Sequence, residues 1–252
     1  MQILVILAAA VYGVFAGLLL PRVVYKMAVP PDQAWRDLCP AGHPVPAWVG
    51  IPHCRACPGD GSTRSTGGEA FGPSTAIVIS LTVTVCAALA YATGPRPELA
   101  VWLMITPALL LLALVDFTVH RLPDVVTLPL TALTVLLLGA AALVPTAGGS
   151  WATALSGAFA LGGGYFILFL VSPRSLGFGD VKLAFPLGAV LGWHGWSTLV
   201  LGAIAGQLLA ALYGLALIAL RRARMKSSIP YGPFLIGGTL VGMLVATASN
   251  RA

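Results

Sequence analysis

Long stretches without a single charged side chain dominate this sequence. Residues 3–20, 75–93, 99–115, 125–173, 183–220 and 229–250 carry no Asp, Glu, Lys or Arg. The fourth run is broken near Pro145 and Gly148-Gly149, and the fifth at Gly192-Trp193-His194-Gly195-Trp196. Crossing the hydrocarbon core of a bilayer takes about 20 mostly apolar residues. Lipid offers backbone groups no hydrogen bonds, so such runs must form helices. The pattern predicts an all-α, polytopic membrane bundle of about eight transmembrane helices. They fall near residues 3–20, 75–93, 99–115, 125–144, 151–172, 179–193, 197–220 and 230–248. Charged residues are 9% of the chain, against about 25% in soluble domains, which excludes an ordinary soluble fold. The first run is read as a spanning helix, not a cleaved signal, because only Met1 and Gln2 precede it and no basic n-region is present.

Eight spans place the connecting segments alternately on two sides. Segments 21–74, 116–124, 173–182 and 221–228 hold twelve of the fourteen Lys and Arg residues; Arg96 and Arg251 are the other two. Basic residues collect on the cytoplasmic side, so the first set is expected there, with both termini outside. The run from Arg221 to Lys226 reads as a topology signal. The pI of about 9.5 reflects orientation and contact with anionic lipid, not nucleic-acid binding. The expected organisation is a first transmembrane helix (1–20), a cytoplasmic loop (21–74) and a seven-helix membrane unit (75–252).

Acidic residues are scarce. Of eight, Asp32, Asp37, Asp60 and Glu69 fall in the first loop and Glu98 on the other side. Asp116, Asp124 and Asp180 remain, all toward the basic side. Acids at membrane depth are costly and mark functional sites. Asp116 directly follows an apolar run, at the inner end of the third span. Asp180 lies in Leu176-Gly-Phe-Gly-Asp-Val-Lys182. The apolar stretch after it, 183–193, is too short to cross, so Asp180 is expected inside the start of the sixth span. Its flanking glycines permit close approach, and a carboxylate gains from a helix N-terminus. Asp124 follows Pro123 and precedes a long helix, so it is expected to serve as an N-cap or as a partner for Arg121 or Lys182. Two facing carboxylates share one proton. The ionised one can activate water while the protonated one polarises a carbonyl.

Gly177-Phe-Gly179-Asp180 fits the GxGD pattern of intramembrane aspartyl proteases, and its continuation to Lys182 resembles the type IV prepilin peptidases. So do Asp116-Phe-Thr-Val-His-Arg-Leu-Pro123-Asp124, running into Val-Val-Thr127-Leu-Pro129, and Ile229-Pro230-Tyr-Gly232-Pro233-Phe234. The resemblance covers nearly the whole chain. It implies an aspartic endopeptidase of the bacterial plasma membrane, with its active site facing the cytoplasm. Such enzymes cleave the short basic leader of type IV pilin-like precursors and need no cofactor for proteolysis. Asp116 and Asp180 match the catalytic aspartates. Gly177, Gly179, Lys182, Pro123, Asp124, Pro230, Gly232 and Pro233 match supporting motif positions.

Family members also resemble a zinc ribbon in the first loop, with two C-x-x-C pairs. Here the second pair is Cys54-Arg-Ala-Cys57, but Cys39-Pro-Ala-Gly42-His43 lacks its second cysteine. Cytosolic cysteines point to metal before disulfides. His43 or His53 is expected to complete a Cys3His zinc site with Cys39, Cys54 and Cys57. Many members methylate the new N-terminus with S-adenosylmethionine, an activity linked to this region, and the altered pair puts that activity in question.

Plainer readings apply elsewhere. Cys86 is a packing residue. The spacings Gly188-Gly192, Gly202-Gly206 and Gly238-Gly242 suit internal helix packing. Trp193 and Trp196 suit an outer aromatic belt, with His194 beside them at the interface. Two other functions compete with proteolysis. One is a proton- or cation-coupled transporter, which needs acids deeper in the bundle. The other is a scaffold that binds pilin-like helices without cutting.

Overall fold

The computed structural model describes residues 1–30, 33–54, 56–57, 71–173, 176–221 and 229–249. Its elements are α1 (Gln2–Met27), α2 (Thr75–Thr93), α3 (Pro97–Val119), α4 (Asp124–Ala142), α5 (Trp151–Val171), α6 (Phe178–Trp193), α7 (Trp196–Ala219) and α8 (Gly232–Ser249). They match the eight expected spans to within a few residues at most ends. Six of them, α1 to α5 and α7, are long and apolar enough to cross a membrane. The chain is therefore a multi-pass membrane protein built as a helical bundle.

The central element is α6. It rises only about 24 Å, but its neighbours sheathe it: from Leu183 to Trp193 every residue except Phe185 is buried. Glycines bring the partner helices this close. A side chain at Gly157 of α5 would meet the Gly188 carbonyl of α6 at 2.6 Å, and one at Gly238 of α8 would collide with the Gly206 backbone of α7. The small-residue spacings are thus internal seams of the bundle. Cys86 is wholly buried in the core, as a packing residue should be.

Two helices run past their expected ends. α1 continues to Met27, so Arg22 and Lys26 sit on its last turns and not in the loop. α3 continues to Val119, so Asp116 lies within its final turn. That helix ends on His120 in the left-handed conformation (φ 52°), whose N–H closes on the Asp116 carbonyl at 2.8 Å. Polar residues such as His tolerate this conformation better than branched ones.

Trp193 does not join an aromatic belt. It is 1% exposed, packed under the α4–α5 connection, where the Ser150 N–H donates to its carbonyl at 3.2 Å. Trp196 is exposed. His194 stacks near Trp102, ring centres 5.8 Å apart. Glu98 is also wholly buried, in the first turn of α3, and accepts the Gly148 N–H at 3.2 Å. It lies at the end of α3 away from Asp116.

The end of α1 anchors the loop that follows. Lys26, 1% exposed, pairs with Asp37 at 3.0 Å and lies 5.0 Å from the Trp48 ring centre. Arg22 donates to the Ile51 carbonyl at 2.6 Å, and the Tyr25 hydroxyl to the Leu38 carbonyl at 3.0 Å. Asp32, Arg55, Asp60, Arg64, Glu69 and Arg174, and the basic residues Arg222, Arg224 and Lys226, lie outside the described residues.

Candidate active site

Asp116 and Asp180 arrive from opposite chain directions at one end of the bundle. Asp116 closes α3 and Asp180 is the third residue of α6, as the short sixth span required. Both are buried, at 5% and 8% exposed, and one side chain, Leu122, packs against the glycines next to both.

Each carboxylate is held by a backbone donor from its neighbouring motif. Asp116 Oδ2 accepts the Gly232 N–H at 2.9 Å. Asp180 Oδ2 accepts the Gly177 N–H at 3.2 Å, reaching back over the start of its own helix as a first-turn acid does. Gly232 has no room for a side chain: a Cβ would stand 2.9 Å from Asp116 Oδ2 and 3.4 Å from Leu122 Cδ2. Gly179 is closed off by the same residue, since a Cβ there would be 3.0 Å from Leu122 Cβ. Buried Leu122 therefore wedges between the glycine beside Asp180 and the glycine that holds Asp116. Sequence reasoning missed it; a leucine between two polar motif residues gives no chemical signal.

The other motif residues support this arrangement. Pro123 is the extended residue before α4 (φ −68°, ψ 124°), and Asp124 is the first helical residue, with no side-chain cap. Of the two roles expected for Asp124, the N-cap is thus corrected and the ion pair with Lys182 is the one formed. Its carboxylate reaches across to Lys182 at 2.7 Å, and Lys182 also lies 4.8 Å from the Phe178 ring centre. Arg121 ties the same segment to the end of α1 through the Pro30 carbonyl at 3.1 Å. Pro230 is buried ahead of α8. Pro233 lines an apolar cavity of about 240 Å³ between α2, α3 and α8, which neither carboxylate lines.

A polar cluster unforeseen in the sequence adjoins the peptide that holds Asp116. The hydroxyls of Tyr165 of α5 and Tyr231 lie 3.4 Å apart, and Gln207 of α7 hydrogen-bonds to both. The available signal was Gln207 itself, the one amide in an otherwise apolar helix.

In the loop, Cys39, His43, Cys54 and Cys57 place their ligand atoms within 4.8 Å of one another. His53 stands outside this group. A tight turn makes the first half: Leu38 bridges Pro44, Gly42 adopts φ 85°, and the Cys39 N–H donates to the His43 carbonyl at 2.8 Å. Cys39 Sγ lies 3.7 Å from Cys57 Sγ and 3.7 Å from His43 Nδ1, and Cys57 Sγ lies 3.4 Å from His43 Nδ1. A tetrahedral zinc with its usual bond lengths needs edges of about 3.8 Å for S···S and about 3.6 Å for S···N. The donor set fits a metal ion. Burial works against the Cys39 thiolate, but hydrogen bonds from the His43 and Ala41 backbone outweigh it and bring the thiol down to about 6. Burial, with Cys54 and Cys39 adjacent, pushes Cys57 up to about 12.

Fold and site together define a membrane-embedded helical bundle with a carboxylate pair held by glycine-rich backbone at one end. The profile of the type IV leader peptidase family matches residues 103–219. A prepilin leader peptidase/N-methyltransferase of Pseudomonas putida is 30% identical, over 90% of this chain and 86% of its own length. A protein of the same name from Aeromonas hydrophila is 30% identical over 90% and 76%, and one from Burkholderia pseudomallei is 31% identical over 88% and 70%. No solved structure matches the chain significantly. The chain belongs to the type IV leader peptidase family.

Proposed function

We propose that this protein is a prepilin leader peptidase whose Asp116 and Asp180 act as an aspartyl dyad. Its substrate is a pilin-like precursor with a short basic leader and an apolar helix, taken at the cytoplasmic face of the bacterial plasma membrane. The observation that carries the reading is the convergence of two buried carboxylates, each fixed by one backbone N–H, at the end of the bundle that bears the loop.

At such a pair one proton is shared, because both carboxylates cannot ionise at close range. The ionised member accepts a proton from water as the water oxygen bonds to the scissile carbonyl carbon. The protonated member donates a hydrogen bond to the carbonyl oxygen, where negative charge develops. The tetrahedral intermediate collapses as a proton passes to the leaving nitrogen and the C–N bond breaks. Leu122 and the two glycines keep the carboxylates in register for these transfers. The transporter reading draws no support from this arrangement, since Asp116 and Asp180 meet at a single end of the bundle.

For the loop we propose a structural zinc held by Cys39, His43, Cys54 and Cys57, supported by the tetrahedral edge lengths. When bound, the ion cross-links the two halves of the loop and takes no part in peptide cleavage. Methylation, named in the relatives, would need S-adenosylmethionine. Among the described loop residues Asp37 is the one acid, and Lys26 occupies it. The described loop residues therefore offer that cofactor no unpaired carboxylate.

The test is incubation of the purified protein in lipid with a precursor of this kind, with mass spectrometry of the products. Release of an intact basic leader supports the peptidase. A precursor that binds and stays whole favours the scaffold.

A further inference from the structure

Gln207 sits in the middle of α7, which contains no charged residue and no other amide. A side-chain amide on an apolar, membrane-length helix needs partners, because lipid supplies none. It finds two. The Tyr231 hydroxyl donates to Gln207 Oε1, and Gln207 Nε2 donates to the Tyr165 hydroxyl at 3.4 Å. The two hydroxyls are 3.4 Å apart. With the Tyr231 proton given to the amide oxygen, the proton left for that contact belongs to Tyr165. The three groups thus close a ring in which each donates once and accepts once. Tyr165, 3% exposed, fixes one corner to α5, and Gln207 fixes another to α7.

The third corner leads to the carboxylates. Tyr231 directly precedes Gly232, and their shared peptide unit is planar. Its carbonyl accepts the N–H groups of Phe234 and Leu235, at 3.1 and 3.2 Å, in the first turn of α8. Its N–H is the donor to Asp116 Oδ2 at 2.9 Å. Anchoring the Tyr231 side chain therefore sets the direction of the hydrogen bond that holds Asp116.

We propose that Tyr165, Gln207 and Tyr231 are positioning residues of the aspartyl site, joining α5 and α7 to the peptide that orients Asp116. The proposal rests on the peptidase reading for its kinetic consequence, but its structural consequence stands apart. The test compares Gln207→Leu, Tyr165→Phe, Tyr231→Phe and the double variant Gln207→Leu/Tyr231→Phe with the wild type, all full length in lipid nanodiscs. Two quantities are read: steady-state cleavage of a precursor peptide, and backbone amide exchange by mass spectrometry.

Each single variant is expected to lose about tenfold in kcat with KM nearly unchanged, because the carboxylate is misplaced while the peptide still binds. The double variant should lose no more than the worse single one, since the three residues act as a unit. Exchange across residues 229–236 should quicken in every variant, with α3 and α6 unaltered. Full kcat in the single variants, or a double loss equal to the product of the two, overturns the proposal, as does unchanged exchange across 229–236. An Asp180→Asn control run alongside separates the two readings. If the wild type does not cut, the peptidase reading fails and the exchange data alone decide on the ring.

Discussion

Asp124 and Lys182 form a 2.7 Å ion pair between the segment that follows Asp116 and the helix that carries Asp180. The pair sits at the rim of the site, with Asp124 58% and Lys182 21% exposed. Partly exposed pairs contribute about 1 kcal/mol or less. Asp124→Asn and Lys182→Met are therefore expected to keep cutting a precursor, within roughly tenfold of wild type, and to unfold at nearly the same temperature. Complete loss in a folded Asp124→Asn protein would place Asp124 in the chemistry.

Gly232→Ala should fail for a steric reason. The added methyl would stand 2.9 Å from Asp116 Oδ2, so either the carboxylate or the start of α8 must move. Displacements near 1 Å at a reacting group cost roughly a hundredfold. Cleavage kinetics should show that loss in kcat, and Gly179→Ala, which presses on Leu122, should show a milder one.

The α7–α8 seam predicts a stability effect separate from the chemistry. Gly238→Leu would drive a side chain into the Gly206 backbone. Overpacking of this kind costs about 1–3 kcal/mol or more, to be read as a lowered unfolding temperature in detergent. An unchanged temperature would mean that the two helices are not in contact there.

Metal analysis checks the loop. Unstripped protein is expected to hold about one zinc per chain, and Cys54→Ser or His43→Ala to lose it, whereas His53→Ala retains it. Structural zinc sites supply folding energy. Chelation should therefore expose the loop to protease while the helices stay intact.

Much of this was legible before any coordinates. Uncharged runs and their breaks located α1 to α8 because lipid leaves the backbone no alternative, and the shortness of 183–193 placed Asp180 on α6. Not every partner across space was legible. For Asp124 the sequence allowed a cap or a partnership with Arg121 or Lys182; the helix begins one residue earlier than a cap requires, and the carboxylate meets Lys182. Trp193 has the composition of a belt residue, yet the α4–α5 connection covers it. The choice of His43 over His53 depends on the turn at Gly42, which spacing alone does not resolve. Tyr165, Gln207 and Tyr231 are uncharged and so give no charge signal, although an amide inside α7 is itself one.

Asp116 and Asp180 are proposed as the catalytic pair. Its most direct test is cleavage of a basic-leader precursor by Asp116→Asn and Asp180→Asn, each of which preserves shape while removing the carboxylate. Loss of positioned acid–base catalysis costs about 10²–10⁴-fold. Both variants should insert, unfold at wild-type temperature and lose cleavage by at least that range. Wild-type cleavage by either variant would exclude that residue from the chemistry.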